Sequence, residues 1–193
     1  MSYFDVYQGQ RFGAFYGSDG NNVFSNYYEE KFYHNLQLFD SAEHAYQRAK
    51  FYDPSFFDRY YAIYLSTGFG SGDSAKKAAN DLKQSVCPNW MSINHKIMEQ
   101  ILVSKFGEGS GIHEILLSTR GMYLVEHTKR DSHWGDGGDG TGKNMLGNML
   151  MSIRGDVVPA PSEYFTWTQS LKQGHQYQGP QYQGPQYQGP QYQ

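Results

Sequence analysis

The sequence is poor in cysteine, in positive charge and in long apolar runs. Cys87 is the single cysteine among 193 residues, which excludes an intramolecular disulfide framework and a cysteine-rich zinc site. Lysine and arginine number 16 against 19 aspartates and glutamates, so the chain lacks the positive field on which non-specific nucleic-acid binding depends. No stretch approaches the ~20 apolar residues of a membrane span, and no secretory signal opens the sequence. We therefore expect an intracellular, cytoplasmic protein without a membrane partner.

Aromatic residues and a repetitive C-terminus distinguish the composition. Aromatics make up 17% of the chain although hydrophobic residues in total reach only 38%, so we expect tyrosine and phenylalanine rings to fill much of the core. From Tyr177 to Gln193 the motif Tyr-Gln-Gly-Pro-Gln repeats every five residues. Proline and glycine in every repeat, without aliphatic residues, are typical of disorder. We predict one folded domain at residues 1–158, and a linker with a disordered tail at 159–193.

Apolar spacing and turn residues predict a helix-dominated α+β domain. An apolar stripe at helical spacing follows Ser92 and ends at Gly107, and Asp40 with Glu43 resembles a capping box at the start of an earlier helix. Short aromatic runs between glycines and asparagines predict strands and turns in the first 40 residues. The predicted strands or turns are 12–16, 23–28, 31–39 and 122–125, and the predicted helices are 40–52, 54–65, 73–85, 93–106, 112–116 and 146–153.

A glycine-rich segment at residues 131–143 carries two motifs with the letters of phosphate-binding loops. Residues 135–140 fit G-x-G-x-x-G and residues 137–143 fit G-x-x-x-x-G-K. Neither predicts a nucleotide site, because the first opens no helix within a βαβ unit and the second has Asn144 where a magnesium-binding Ser or Thr should stand. The segment is either a loop whose backbone closely approaches a ligand or a flexible surface loop.

The seven histidines do not form a metal-binding pattern. His127 and His133 flank the glycine-rich segment, but no pair has the i, i+4 spacing with a glutamate that a zinc hydrolase uses. Cys87 precedes a proline and has no neighbouring base, which favours a structural thiol. We therefore expect neither a metal nor another cofactor.

The first long helix carries the most informative side chains. Glu43, Tyr46 or Gln47, and Lys50 follow one another at helical spacing and so share one face. At 1.5 Å per residue Glu43 and Lys50 are about 10 Å apart along the axis, a distance that a small ligand between their long side chains would bridge. A carboxylate and an amine in an aromatic cleft are suited to acid–base or Schiff-base chemistry. The alternative is a solvated helix face with ordinary charges.

These residues belong to a longer pattern that resembles the NADAR family of YbiA-like proteins. It starts at Phe15-Tyr16-Gly17 and Phe24-Ser25-Asn26-Tyr27. Its two most specific parts are an S-x-E-H-x-Y-Q-x-x-K-F helix from Ser41 and a D-x-x-W-G-x-G loop from Asp131. The resemblance covers residues 13–155 and leaves out the tail.

The resemblance implies an α+β N-glycosidase that cleaves the C–N bond between a ribosyl group and a base. The first interpretation is removal of ADP-ribose from ADP-ribosylated guanine in DNA, RNA or a nucleoside. The second is hydrolysis of phosphorylated ribosylaminopyrimidine intermediates of riboflavin biosynthesis. A non-catalytic ADP-ribose reader is the third, which the presence of both Glu43 and Lys50 disfavours. The expected ligand is thus ADP-ribose or a phosphoribosyl group, and neither activity needs a metal.

For this chemistry the sequence offers two catalytic residues and a set of binding residues. We predict Glu43 as the carboxylate that stabilises positive charge at the sugar C1′ or moves protons at the ribose. Lys50 would be a nucleophile that captures the ring-opened sugar as a Schiff base. Trp134 would stack on a ring of the substrate, and the backbone from Gly135 onward would approach phosphate. The predicted binding residues are Asn26, Tyr46, Arg48, Asp131, Trp134, Gly135 and Asn144.

Overall fold

Six α-helices and four short strands form the part of the chain that the computed structural model describes, which is residues 11–16, 22–51 and 71–173. The helix-rich α+β class is confirmed. A 3₁₀ turn at Lys83–Ser85 follows the second helix. The elements are β1 (Phe12–Phe15), β2 (Phe32–His34), β3 (Gln37–Phe39), α1 (Ala42–Ala49), α2 (Gly72–Asp81), α3 (Trp90–Phe106), α4 (His113–Leu117), β4 (Tyr123–Glu126), α5 (Met145–Ile153) and α6 (Ser162–Lys172).

The parallel strand pair β1–β4 lies inside the core. Phe12 is paired with Tyr123, and Phe15 with Glu126. All residues of both strands are buried, as expected for parallel strands covered on both faces. α5 packs against β4. Because Glu126 ends β4, the topology brings a carboxyl group into the interior of the domain.

The antiparallel pair β2–β3 is a tight hairpin. Asn35 and Leu36 form its turn with φ angles of 49° and 63°, the left-handed conformation that two-residue hairpin turns require. Leu36 is fully exposed at the tip, whereas Phe32 and Phe39 are paired and buried beneath it. Residues 31–39 thus form strands as expected, whereas residues 23–28 form consecutive turns and no strand.

Aromatic rings fill much of the core, as the composition predicts. Phe24 stacks on Phe106 with centroids 6.2 Å apart and lies 5.9 Å from the ring of Phe15. All three side chains are fully buried. Aliphatic residues of α3, α5 and β4 complete the same cluster.

The helices start and end close to the predicted positions, with local differences. α1 begins after Ser41, whose hydroxyl accepts the backbone N–H of His44, so Ser41 and not Asp40 is the N-cap. α3 begins at Trp90, before the apolar stripe itself, and ends at Gly107 as expected. Of the helices described, none is both long and apolar enough to cross a bilayer. The helix predicted at 54–65 lies outside the described residues.

Helix α6 corrects the predicted start of the linker at residue 159. Tyr164 and Trp167 are buried, and the ring of each lies 5.5 Å from that of Phe12. The Tyr164 hydroxyl also donates a 2.8 Å hydrogen bond to Asp136. The packed structure therefore continues to Lys172. Sequence reasoning missed it because its three aromatic residues, of which Phe165 is exposed, make a weak apolar stripe. The repeat tail lies outside the described residues.

Candidate active site

A cavity of about 260 Å³ opens where α1, α2, α3, the end of β4 and the glycine-rich loop meet. Its wall is polar and aromatic rather than aliphatic. Six of the nine residues predicted from the sequence line it, together with five that were not among those nine. The lining residues are Asn26, Tyr27, Glu43, Tyr46, Gln47, Lys50, Lys76, Met98, Glu126, Asp131 and Trp134.

Glu43 lies in the first turn of α1 with its carboxyl group buried. Gln47, one turn along, donates its side-chain N–H to Glu43 Oε1 at 2.7 Å, and Tyr27 lines the same cavity. Burial raises the pKa of Glu43, while the hydrogen bond from Gln47 and the charges of Lys76 and Lys50 oppose that rise. Gln47 thus orients Glu43, while the pKa of Glu43 stays above its ordinary value because burial is the largest influence.

Lys50 is the C-cap of α1 and reaches the same cavity. Its Nζ lies 5.7 Å from the centroid of the Tyr46 ring and 6.0 Å from that of Trp90. Burial among these rings lowers the pKa of Lys50, Glu43 acts against this, and Lys76 adds to it. A lower pKa increases the neutral fraction of the amine, the form that acts as a nucleophile.

Glu126 supplies a second buried carboxyl group to the cavity. It ends β4, and its backbone N–H donates to Asn144 Oδ1 at 3.0 Å. Burial, together with the negative charges of Asp131, Glu43 and Asp136, raises the pKa of Glu126 to about 8. Glu126 is not among the site residues predicted from the sequence. Its position at the end of a buried strand is the signal that could have identified it.

Asp131 and Trp134 enter the cavity from the glycine-rich loop. Asp131 Oδ1 accepts the backbone N–H groups of His133 and Trp134, both at 2.8 Å. The Trp134 ring meets the Tyr46 ring of α1 edge-on, with centroids 5.7 Å apart. Trp134 is therefore braced by α1 while it remains part of the cavity wall.

Asp136 anchors the loop from behind. It is almost fully buried and accepts hydrogen bonds from His127 Nδ1 and the Tyr164 hydroxyl, each at 2.8 Å, and from the backbone of Gly138. Although burial alone would raise it, these bonds lower the pKa of Asp136. Helix α6 thus supports the loop that carries Trp134.

The glycines of the loop closely approach the protein's own backbone. A Cβ at Gly142 would lie 2.5 Å from the carbonyl oxygen of Gly135, and a Cβ at Gly135 would lie 2.7 Å from the carbonyl oxygen of Glu126. Gly137, Gly138 and Gly140 have positive φ. The close approaches seen here are to the chain itself, Gly135 lies outside the cavity wall, and approach of this backbone to a ligand stays a prediction.

Arg48 and Asn144 also lie outside that wall. The Arg48 guanidinium donates to the carbonyl of Phe51 at 3.0 Å. Asn144 has φ of 49° and donates its amide to the carbonyl of Leu124 and to the Tyr123 hydroxyl. Asn144 therefore holds the loop onto β4. Substrate binding by Arg48, Gly135 and Asn144 stays a prediction without a cavity contact to support it.

Three cavity residues have a buried polar atom without a protein hydrogen-bond partner in the described structure. These atoms are Asn26 Oδ1, Gln47 Oε1 and Glu126 Oε2. Buried polar atoms are normally paired, so their concentration at one cavity indicates groups that bind a polar ligand. Within the described residues, no group of three or more His, Cys, Asp or Glu side chains is placed to hold a metal ion.

Comparison with known proteins shows the family of the chain. Residues 14–158 match the family model of the NADAR domain. The chain belongs to the NADAR family. N-glycosidase YbiA of Escherichia coli (strain K12) is 33% identical over 137 residues, which is 71% of this chain and 82% of that protein. A riboflavin biosynthesis protein of Vibrio vulnificus is 30% identical over 168 residues, 84% of this chain and 43% of the relative.

The solved structure of a NADAR protein has the same fold. The NMR structure of E. coli YbiA matches with a TM-score of 0.64 and 28% identity, over 92% of this chain and 99% of that one. The expected family is confirmed. The cavity of this NADAR domain contains the family-pattern residues Glu43, Lys50 and Trp134, and α6 follows the segment that the family model matches.

Proposed function

We propose that this protein is an N-glycosidase that hydrolyses the bond between C1′ of a ribosyl group and the nitrogen of a base. The observation that carries the proposal is that Glu43 and Lys50 line the same polar, aromatic cavity. The names of its relatives, N-glycosidase YbiA above all, support the same reaction class.

In the proposed reaction, Glu43 stabilises positive charge at C1′. Cleavage of an N-glycosidic bond makes C1′ electron-poor as the electron pair leaves with the base. The Glu43 carboxyl group is held by Gln47, so the charge of its anionic form is oriented in advance rather than by solvent. Glu43→Gln keeps the shape of the side chain and removes the charge.

Lys50 acts as the nucleophile. Its neutral Nζ attacks C1′ of the ring-opened sugar, the C1′–N bond to the base breaks, and an imine forms between Lys50 and the sugar. Water then hydrolyses the imine and restores the free amine. The burial that lowers the Lys50 pKa increases the neutral fraction this step requires.

The size of the cavity favours a phosphorylated ribosylaminopyrimidine as substrate. At about 260 Å³ it lies below the ~300–1,000 Å³ of sites that enclose drug-sized ligands, so it matches one ribosyl group with part of its base. Lys76 lies at the cavity wall and provides a positive charge for a phosphate. The name of the Vibrio vulnificus relative supports the same substrate class.

ADP-ribosylated guanine is the second candidate, favoured by aromatic rings beside the cavity. The rings of His95 and His133 stack with centroids 4.7 Å apart, and each meets the Trp134 ring at a steep angle, at 5.3 and 5.2 Å. These rings extend the aromatic surface beyond the cavity wall and would contact the distal adenine of ADP-ribose. The phenylalanines described in the first 39 residues would not contact the adenine, because they are buried in the core.

A side-by-side mass-spectrometric assay tests the proposal. Wild type, Glu43→Gln and the control Glu99→Gln, whose side chain is exposed on α3, each receive ADP-ribosylated guanosine and the ribosylaminopyrimidine phosphate. We expect wild type and Glu99→Gln to release the sugar, and Glu43→Gln to be at least 100-fold slower, since such groups contribute roughly 10²–10⁴ in rate.

Each outcome has a distinct meaning. The substrate cleaved by wild type identifies the substrate class. Full turnover by Glu43→Gln would remove Glu43 from the mechanism. If wild type cleaves neither compound but binds ADP-ribose, the enzyme proposal is wrong and the protein is an ADP-ribose reader.

A further inference from the structure

One buried carboxyl group at the cavity has no part in the reaction described above. Glu126 lines the cavity with 8% of its surface exposed, and its Oε2 is buried without a hydrogen-bond partner among the described residues. Burial of an unpaired polar atom is costly, so a group in this state is suited to a ligand that supplies the missing partner.

The backbone on both sides holds Glu126 in place. Its N–H donates to Asn144 Oδ1, and its carbonyl accepts the N–H of Asp136 at 2.9 Å. The close contact with Gly135 leaves no room for a side chain there. The carboxyl group therefore projects from a rigid strand end and not from a mobile loop, as proton transfer to a bound substrate requires.

The charges around Glu126 favour its protonated form. Burial is the largest influence. Asp131 and Asp136 from the loop and Glu43 from α1 add negative charge, and Lys76 from α2 opposes them. Together they raise the pKa of Glu126 to about 8. At neutral pH the group is mostly a carboxylic acid, with a proton to donate.

We propose that Glu126 is the catalytic acid that protonates the departing base. As the C1′–N bond breaks, its electron pair moves to the nitrogen, and the Glu126 proton is transferred to that nitrogen. The resulting carboxylate then takes a proton from the water whose oxygen ends on C1′, which restores the acid. The net reaction adds one water across the C–N bond and needs no other reactant. This inference rests on the proposed N-glycosidase function.

The two carboxyl groups of the cavity thus have different roles because their surroundings differ. Burial raises the pKa of Glu43, but a hydrogen bond from Gln47 and the charges of Lys76 and Lys50 oppose that rise. Glu126 has an unpartnered oxygen and acidic neighbours. The hydrogen-bonded carboxyl group is thus suited to a fixed orientation beside C1′, and the unpartnered one to proton donation.

The test is the pH–rate profile of Glu126→Gln on the substrate that wild type cleaves, with Glu99→Gln as the control. We expect kcat of wild type to fall as pH rises through about 8, because the acid loses its proton. Glu126→Gln should lose roughly 10²–10⁴ in kcat at pH 7 with little change in KM, and its profile should lack the basic limb. Glu99→Gln should retain both the rate and the limb.

Two results would overturn the inference: Glu126→Gln within a few-fold of wild type at pH 7, or a basic limb that persists in this variant. Should Glu126→Gln not fold, Glu126→Asp retains an acid and must keep the basic limb at a reduced rate; loss of the limb would contradict the proposal. If wild type cleaves neither substrate, the proposed function itself fails, which is a different outcome from retained activity in Glu126→Gln.

Discussion

Replacing Glu126 with glutamine should change how the stability of the protein depends on pH. The ordinary pKa of the glutamate side chain is 4.5, and in the folded protein burial and nearby carboxylates raise it to about 8. Between these values the native state binds a proton that the unfolded chain has released. The free energy of unfolding contributed by this group is therefore fully present below pH 4.5 and falls as pH rises towards 8.

The size of this pH effect on the free energy of unfolding follows from the one proton that Glu126 binds in the folded state. The free energy of unfolding of wild type should fall, relative to Glu126→Gln, by about 1.4 kcal/mol per pH unit, or about 4 kcal/mol from pH 5 to pH 8. Glutamine has nearly the same shape and no titrating proton, so the difference isolates the carboxyl group. The glutamine variant should be the more stable protein at pH 8.

Urea unfolding at pH 5, 6, 7 and 8 measures this difference. Glu99→Gln, exposed on α3, controls for the general effect of removing one negative charge. Its free energy of unfolding should change with pH in the same way as that of wild type. A difference between wild type and Glu126→Gln that does not change with pH would refute the reasoning, because it would mean that Glu126 titrates alike in the folded and unfolded states.

Three further predictions address Lys50, helix α6 and the loop. Borohydride added during turnover should trap a covalent sugar adduct on wild type and none on Lys50→Arg, as detected by intact mass; equal labelling of both would exclude the imine at Lys50. Trp167→Ala should lower the free energy of unfolding by about 3–5 kcal/mol, whereas Phe165→Ala, 45% exposed on the same helix, should cost far less; equal losses in urea unfolding would show that α6 does not pack as described. Asn144→Ala should cost about 1–3 kcal/mol because it leaves the buried backbone N–H of Glu126 without its acceptor, and an unchanged urea midpoint would contradict this role.

Local patterns were enough to predict α1, α3 and the face of α1 that lines the cavity. The apolar stripe that begins after Ser92 has the period of a helix, and α3 forms there. Glu43 and Lys50 share a face because helical spacing requires it, and both line the cavity. The family pattern added Asn26, Asp131 and Trp134, which the fold brings to that cavity from other elements.

Asn144 and helix α6 show where local pattern was insufficient. An asparagine after a glycine-rich loop has the chemistry to bind ribose, but its amide is used by the backbone of β4 and by Tyr123. Tyr164 and Trp167 have no strong apolar periodicity around them, and α6 is stabilised by its contacts with Phe12 and Asp136. Such contacts join distant segments, so no local window contains them.

The sequence by itself determined the helical face that presents Glu43, Gln47 and Lys50, because helical geometry depends only on neighbouring residues. Only the tertiary structure decided that Glu126 shares their cavity. The parallel pairing of β1 with β4 buries the end of β4 beside α1, and burial together with the surrounding carboxylates then changes the protonation of Glu126. Protonation depends on the groups that surround a side chain in space, and here those groups come from segments far apart in the chain.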